Sequence, residues 1–290
     1  MPENDALLLI GHGSARYPDA AAAMHRHAQT LRDATVGNAT LGDATLGEAT
    51  VGDTARFAPR FAPRFAPRFA QVEVALLHGA PSVEQALDRI TAPTLRVVPF
   101  FMEDGYFSRI AVPSALAARP GTTICPAIGV HDAIAGVIER QALAACHNLG
   151  IPPPTAAIVL LGHGSASAPN RALALHRHAA RVAATELFAR VEPACLEEPP
   201  FFADTLAGLR HHPVLVIGCF ANHGAHVRDD IPGLIAAELA AREGRSTSGA
   251  SPRADAAAPT VHFAGCVTDD PAMPAIIIDQ AHHAVAAKGD

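Results

Sequence analysis

Apolar positions along this chain cluster in short runs separated by longer amphipathic stretches. The runs are Ala6–Ile10, Val72–Leu77, Thr94–Phe101 and Thr122–Pro126, then Ala157–Leu161, Val191–Leu196, Pro213–Phe220 and Thr260–Gly265. Short, mostly apolar runs predict strands of a sheet covered on both faces. Between them, Ala20–Leu31, Ser82–Ile90, Arg171–Leu187 and Phe202–Leu209 carry helical patterns, and a further helix closes each half. Strands that alternate with helices predict an α/β fold built on parallel sheet. In such sheets ligands bind beyond the carboxyl ends of the strands.

The pattern occurs twice. Leu8-Leu9-Ile10-Gly11-His12-Gly13-Ser14-Ala15 returns 151 residues later as Val159-Leu160-Leu161-Gly162-His163-Gly164-Ser165-Ala166. His25-Arg26-His27-Ala28 returns as His176-Arg177-His178-Ala179 at the same offset. Gly105 and Pro113 match Gly224 and Pro232 at an offset of 119, so the first copy carries 32 extra residues. They belong to a low-complexity insertion at about 33–70, with Ala-Thr-Val/Leu-Gly pentads followed by repeats of Arg-Phe-Ala-Pro. Proline at every fourth position (Pro59, Pro63, Pro67) forbids helix and favours extended chain. The composition reads as a disordered insertion; the alternative is a flap whose Arg56, Arg60, Arg64 and Arg68 cover an anionic ring. Pro152-Pro153-Pro154 marks the boundary between two domains, residues 1–148 and 155–290, and Glu243 to Pro259 reads as a loop.

Composition narrows the classes. With 49% hydrophobic residues the 290-residue chain can bury a core, and a net charge of −6 argues against a general nucleic-acid binder. No apolar run is long enough for a membrane span, and the acidic N-terminus lacks a secretory pattern, so a cytoplasmic protein is expected. Five cysteines without a Cys-x-x-Cys pair make a disulfide framework or thiolate cluster a poor reading. Histidine is the unusual residue, at sixteen copies.

The strand-end rule selects among them. In the second half the positions after the first three strands are His163, Glu197 and the Asn222-His223-Gly224-Ala225-His226 loop. Two imidazoles and a carboxylate suit a first-row divalent metal and leave coordination positions open. The first-half equivalents are His12, His78 and Phe107. Phenylalanine can neither ligate nor transfer a proton, which places the main site in the second half; Glu103 or Asp104 is the substitute carboxylate if the first half also touches metal. The Gly-His-Gly-Ser elements have a plainer explanation as tight strand-to-helix turns with Ser14 or Ser165 as N-caps. Two copies with polar residues at later strand ends favour function. His223 reads as a bystander. In the pairs His25/His27 and His176/His178 one member packs and the other is solvated. His211, His212, His282 and His283 read as surface residues.

Gly-His-Gly-Ser after the first strand, Leu196-Glu197 at the second and Gly224-Ala225-His226-Val227-Arg228-Asp229-Asp230-Ile231-Pro232 after the third together resemble the CbiX/SirB family of class II chelatases. The resemblance covers both halves, as in the long two-domain form. It implies two tandem chelatase-like domains, each a parallel four-stranded sheet flanked by helices, with a cleft between them. It implies insertion of cobalt or iron (nickel is the third metal to test) into sirohydrochlorin or a related tetrapyrrole, in cobalamin or siroheme biosynthesis, with no cofactor beyond the substrate metal. His163, Glu197 and His226 then bind metal and carry catalysis: His163 as base and ligand, His226 as second ligand, Glu197 as ligand and proton acceptor. Only His12 carries over in the first half, as a further metal residue. Arg16, Arg109 and Arg228 are candidates for the carboxylates of the ring, whereas Asp229 and Asp230 are expected to cap the following helix. The duplication can replace a homodimer, so a monomer is expected. A binding or delivery protein for metal or tetrapyrrole is the alternative. A histidine phosphatase is disfavoured, because Gly11 and Gly162 stand where it needs arginine.

Overall fold

The structure, a computed structural model, describes residues 5–14, 16–36, 69–167, 172–246 and 260–286. The bulk of the low-complexity insertion, residues 37–68, lies outside them, as does the proposed flap. Helix α1 (Ala22–Val36) runs into the span assigned to it, and Phe69 at its far end is a fully buried core side chain.

The chain forms two four-stranded parallel sheets, as expected. The first has the order β2-β1-β3-β4, made of β1 (Asp5–Gly11), β2 (Gln71–Leu76), β3 (Thr94–Pro99) and β4 (Thr122–Ile124). The second has the order β6-β5-β7-β8, made of β5 (Ala157–Gly162), β6 (Arg190–Cys195), β7 (Val214–Gly218) and β8 (Val261–Cys266). The central strands explain the runs. β1 from Ala6 onward and all of β5 are buried, because helices cover both faces. In each sheet the chain passes from the central strand to one neighbour and returns to the other side. This reversal opens a crevice at the carboxyl end of the central strand, where ligands bind in such folds.

Two compact units divide the chain differently from its sequence halves. Unit 1 is Met1–Gly136, Ala221–His223 and Thr268–Asp290; unit 2 is Val137–Phe220 and Gly224–Val267. The last helix, α8 (Met273–Ala286), therefore belongs to unit 1, and all but the start of α4 (Ile134–Leu149) belongs to unit 2. Within unit 1, Gln280 donates to the Pro126 carbonyl at 2.9 Å, Arg96 donates to the Ala281 carbonyl at 2.9 Å, and His131 pairs with Asp279 at 2.9 Å. His27 on α1 donates through Nε2 to the Thr268 carbonyl at 2.7 Å. Within unit 2, Gln141 of α4 donates to the Ala264 carbonyl of β8 at 2.8 Å. Gln280 and Gln141 thus do the same work, each tying a helix to the fourth-strand region of its unit.

The histidine pairs divide as expected, with His27 and His178 buried and His25 and His176 exposed. His282 does not follow expectation. It is half-buried, its ring 6.3 Å from that of Phe69, because α8 packs into unit 1. Among the described residues no helix is long and apolar enough to cross a membrane.

Candidate metal-handling site

The site in unit 2 is assembled by three loops at strand ends. β5 ends at Gly162, and His163 follows in a turn that Gly164 makes possible with φ of 72°. A Cβ on Gly164 would lie 2.7 Å from Glu198 Cγ and 2.8 Å from Cys195 Cβ, so glycine is required by space as well as by backbone angle. Glu198 is buried and accepts a hydrogen bond from the Ala172 N–H at 3.2 Å. Sequence reasoning passed it over in favour of its neighbour Glu197. It braces the turn while Glu197, 43% exposed, faces solvent. The parallel ladder continues past β6, Leu196 N–H donating to the Gly162 carbonyl at 3.1 Å and Glu197 N–H to the His163 carbonyl at 2.9 Å. This sets Glu197 beside His163.

His226 opens a π-helical turn, His226–Asp230, that leads into α7 (Ile231–Ser246). Helix α7 is anchored through Glu238, whose carboxylate accepts from Arg210 at 2.9 and 3.2 Å and from Arg242 at 3.1 Å. The hydrogen bond from Arg210 above all, supported by Arg242, outweighs burial and holds the Glu238 carboxyl below its ordinary range. A charged pair on this scale fixes the helix that carries the π turn.

The three side chains meet. Nε2 of His226 lies 2.9 Å from Nε2 of His163, the rings are edge to face, and Glu197 Oε2 lies 3.7 Å from His163 Nδ1. One ligand atom from each of the three lies within 4.8 Å of the others. The outer nitrogens show which tautomers are present. His226 Nδ1 is 2.7 Å from Asp230 Oδ2, and His163 Nδ1 is 3.1 Å from the Gly164 carbonyl. A carbonyl and a carboxylate only accept, so each Nδ1 carries the hydrogen. Both Nε2 lone pairs then point at one another. Two such lone pairs repel unless a positive species, a proton or a metal cation, lies between them. Nitrogens each about 2.0–2.1 Å from one metal ion are spaced on this scale. The side chains are 34–49% exposed, so the site is open. Asp230 is a partner the sequence reading missed. Expected to cap a helix, it instead orients His226, because the π turn sets its carboxylate against the imidazole four residues earlier.

Arg228 lies in the same π turn as His226, whereas His12, Arg16 and Arg109 lie in unit 1. His12 sits at the matching position in unit 1, its ring 4.9 Å from His78 and 4.7 Å from Phe107. Among the described residues it joins no group able to hold a metal. Asp104, considered as a substitute carboxylate there, accepts the Ala127 N–H at 3.0 Å and lies 3.7 Å from Arg109. Arg16 is exposed, its guanidinium 5.1 Å from the centre of the Tyr17 ring, and Arg109 and Arg228 are exposed too. Ser14 does act in a turn, accepting from the Tyr17 N–H at 3.1 Å. His223 belongs to unit 1 and pairs with Asp269 at 3.0 Å. All five cysteines are buried and free of disulfides; burial pushes the Cys125 thiol up to about 11. None joins the cluster of His163, Glu197 and His226.

The chain is similar to known proteins in sequence and in fold. Residues 157–284 match the CbiX family model. A probable sirohydrochlorin cobaltochelatase of Halobacterium salinarum is 22% identical over 252 residues, covering 78% of this chain and 75% of the relative. Three solved structures share the fold. A multi-domain Deinococcus radiodurans protein with structural similarity to chelatases superposes with a TM-score of 0.71 at 20% identity, over 96% of this chain and 55% of its own length. SirB from Bacillus subtilis, solved with Fe3+, gives 0.69 at 14% identity over 99% of this chain and 98% of its own. A CbiX described as the terminal enzyme for siroheme biosynthesis in denitrifying bacteria gives 0.63 at 20% identity, over 99% and 100%. The second half of the chain is thus similar to the CbiX family, and most of the chain is similar to a probable sirohydrochlorin cobaltochelatase.

Proposed function

We propose that the protein inserts a divalent metal ion, cobalt or iron, into sirohydrochlorin, with His163, Glu197 and His226 as the residues that handle the metal and the protons. The observation that carries this reading is the pair of converging Nε2 atoms, 2.9 Å apart, each with its Nδ1 engaged by an oxygen. Insertion strips water from a cation and releases two N–H protons from the ring. The two Nε2 lone pairs and the Glu197 carboxylate receive the cation in place of water. Once it passes to the ring nitrogens, the two imidazoles are free to accept the two protons that leave. Neutral imidazole suits both tasks near pH 7. Three exposed protein ligands without thiolate hold a metal loosely enough to hand it on. Asp230 and Gly164 keep the reactive nitrogens turned inward, as second partners of metal-binding histidines generally do. Arg228, two residues from His226 in the same unit, meets a ring carboxylate. No cofactor beyond the substrate metal is needed. A single chain in the cytoplasm is the working form.

A second reading is delivery of metal or tetrapyrrole without insertion, favoured by the one-sided ligand set. Metal uptake by sirohydrochlorin, followed by visible absorption with Co2+, Fe2+ and Ni2+ in turn, separates the two. A rate well above the protein-free rate is expected. Metal binding with no acceleration would establish delivery.

A further inference from the structure

Glu198 has no counterpart in unit 1. At the offset of 119 that relates the two copies, Glu197 matches His78 and Glu198 matches Gly79. Glu197, Pro199 and Pro200 beside it are exposed, yet Glu198 is only 2% exposed. Burial of a carboxylate costs free energy unless donors meet it, so a glutamate turned inward from an exposed loop has a task there. Two of its contacts show the task. Oε1 accepts from the Ala172 N–H at 3.2 Å. Ala172 is the N-cap of α5 (Leu173–Ala183) and offers no side-chain cap of its own. Glu198 does from outside the helix what the glutamate of a capping box does from within. Its stem lies against the turn after β5, where a Cβ on Gly164 would be 2.7 Å from Glu198 Cγ. In unit 1 the matching turn rests on backbone instead, since a Cβ on Gly13 would collide with the His78 carbonyl.

We infer that Glu198 is a positioning residue for metal handling: by holding Gly164 and Ala172 it fixes the stretch of chain that presents His163. The inference rests on the reading of His163 as a metal ligand. His163 is linked to this brace through Gly164, whose carbonyl accepts from His163 Nδ1 at 3.1 Å. A shift of that carbonyl turns the imidazole and moves its Nε2 away from Nε2 of His226, 2.9 Å distant. Strand β5 fixes the chain before His163, and Glu198 fixes it again at Ala172. Glu198 does not join the ligand group, whose atoms within 4.8 Å of one another belong to His163, Glu197 and His226. Two adjacent glutamates thus divide their tasks, one carboxylate turned to the cluster and the other to the scaffold. Supporting groups one step removed from metal-binding residues are worth roughly 10–100-fold in affinity.

The test uses the full-length, metal-free protein titrated with Co2+ and followed by the visible absorption of the bound ion. Glu198→Ala is expected to weaken binding roughly tenfold and to alter the bands. Glu198→Gln should stay within about threefold of the parent and keep its bands, because it retains the acceptor oxygen and the stem. Ala172→Pro removes the donor from the other side, at a φ of −76° that proline adopts. It should reproduce the loss seen in Glu198→Ala, and the double variant should lose no more than either single one. Parent-like affinity in Glu198→Ala and Ala172→Pro, additive losses, or equal losses in the Ala and Gln variants would each overturn the inference. So would loss of the fold in both single variants, which makes Glu198 a residue of the fold alone. His163→Ala separates the two proposals. If it loses Co2+ binding while Glu198→Ala keeps it, only the brace is refuted. If it binds Co2+ as the parent does, the metal reading of the cluster falls and the brace falls with it.

Discussion

His12 and His163 occupy the same place in two copies of one fold, and their surroundings show what a duplication keeps and what it lets go. The backbone is kept. His78 N–H donates to the His12 carbonyl at 2.8 Å, as Glu197 N–H does to the His163 carbonyl at 2.9 Å. Gly13 and Gly164 both take positive φ, 82° and 72°, and a π turn follows the third strand in each copy, Phe107–Ala111 and His226–Asp230. Side chains on this common frame diverge. One copy carries imidazole, carboxylate and imidazole; the other carries imidazole, imidazole and a benzene ring. Scaffold and chemistry are therefore separable, and each copy can specialise without loss of the turns that position its side chains.

The comparison is broken most sharply by removing the converging nitrogens. His163→Ala or His226→Ala is expected to lower the rate of metal insertion by about 100-fold or more, the usual scale for loss of a group that moves protons. His176→Ala, on an exposed helix face, should leave the rate unchanged. Equal rates for His163→Ala and the parent protein would remove unit 2 as the metal-handling copy. A smaller effect is expected from Asp230→Asn. Loss of its carboxylate frees the His226 tautomer, and tuning partners of this type are worth roughly 10–100-fold in metal affinity or activity. A Co2+ titration of this variant that matches the parent would reduce Asp230 to a helix residue.

The weakest contrast concerns stability. Gln141 and Gln280 occupy equivalent positions in α4 and α8, so Glu139 in one helix corresponds to Ile278 in the other, and both are buried. Burial raises the Glu139 carboxyl above its ordinary value of 4.5. The unfolded chain ionises first as pH rises, so the folded state is penalised above the raised value and unpenalised below the unfolded one. Glu139→Gln should therefore raise the melting temperature near pH 7 and have no such effect near pH 4. A gain of equal size at both values would show that ionisation is not the cause.

Much of this arrangement is legible in the sequence because the signals are local. A buried parallel strand such as β5 is apolar at every position, His163 and Glu197 follow closely on strand ends, and His226 lies in the loop after β7. Features set by distant partners are not legible. Asp230 looks like a cap until the π turn directs it at His226. The proline run at 152–154 reads as a break between halves, but nothing local states that α8 packs against the first sheet. His282 reads as polar surface because its neighbour Phe69 adjoins low-complexity chain.

The placement of α8 bears on how the molecule comes into being. Unit 1 begins with the first strand and is completed by α8, so its core contacts through Gln280 and the Ala281 carbonyl wait until unit 2 has been made. Domains usually fold in turn as they leave the ribosome. Here the unit started first is finished last, and a nascent chain stopped before Thr268 exposes the side of unit 1 that α8 covers.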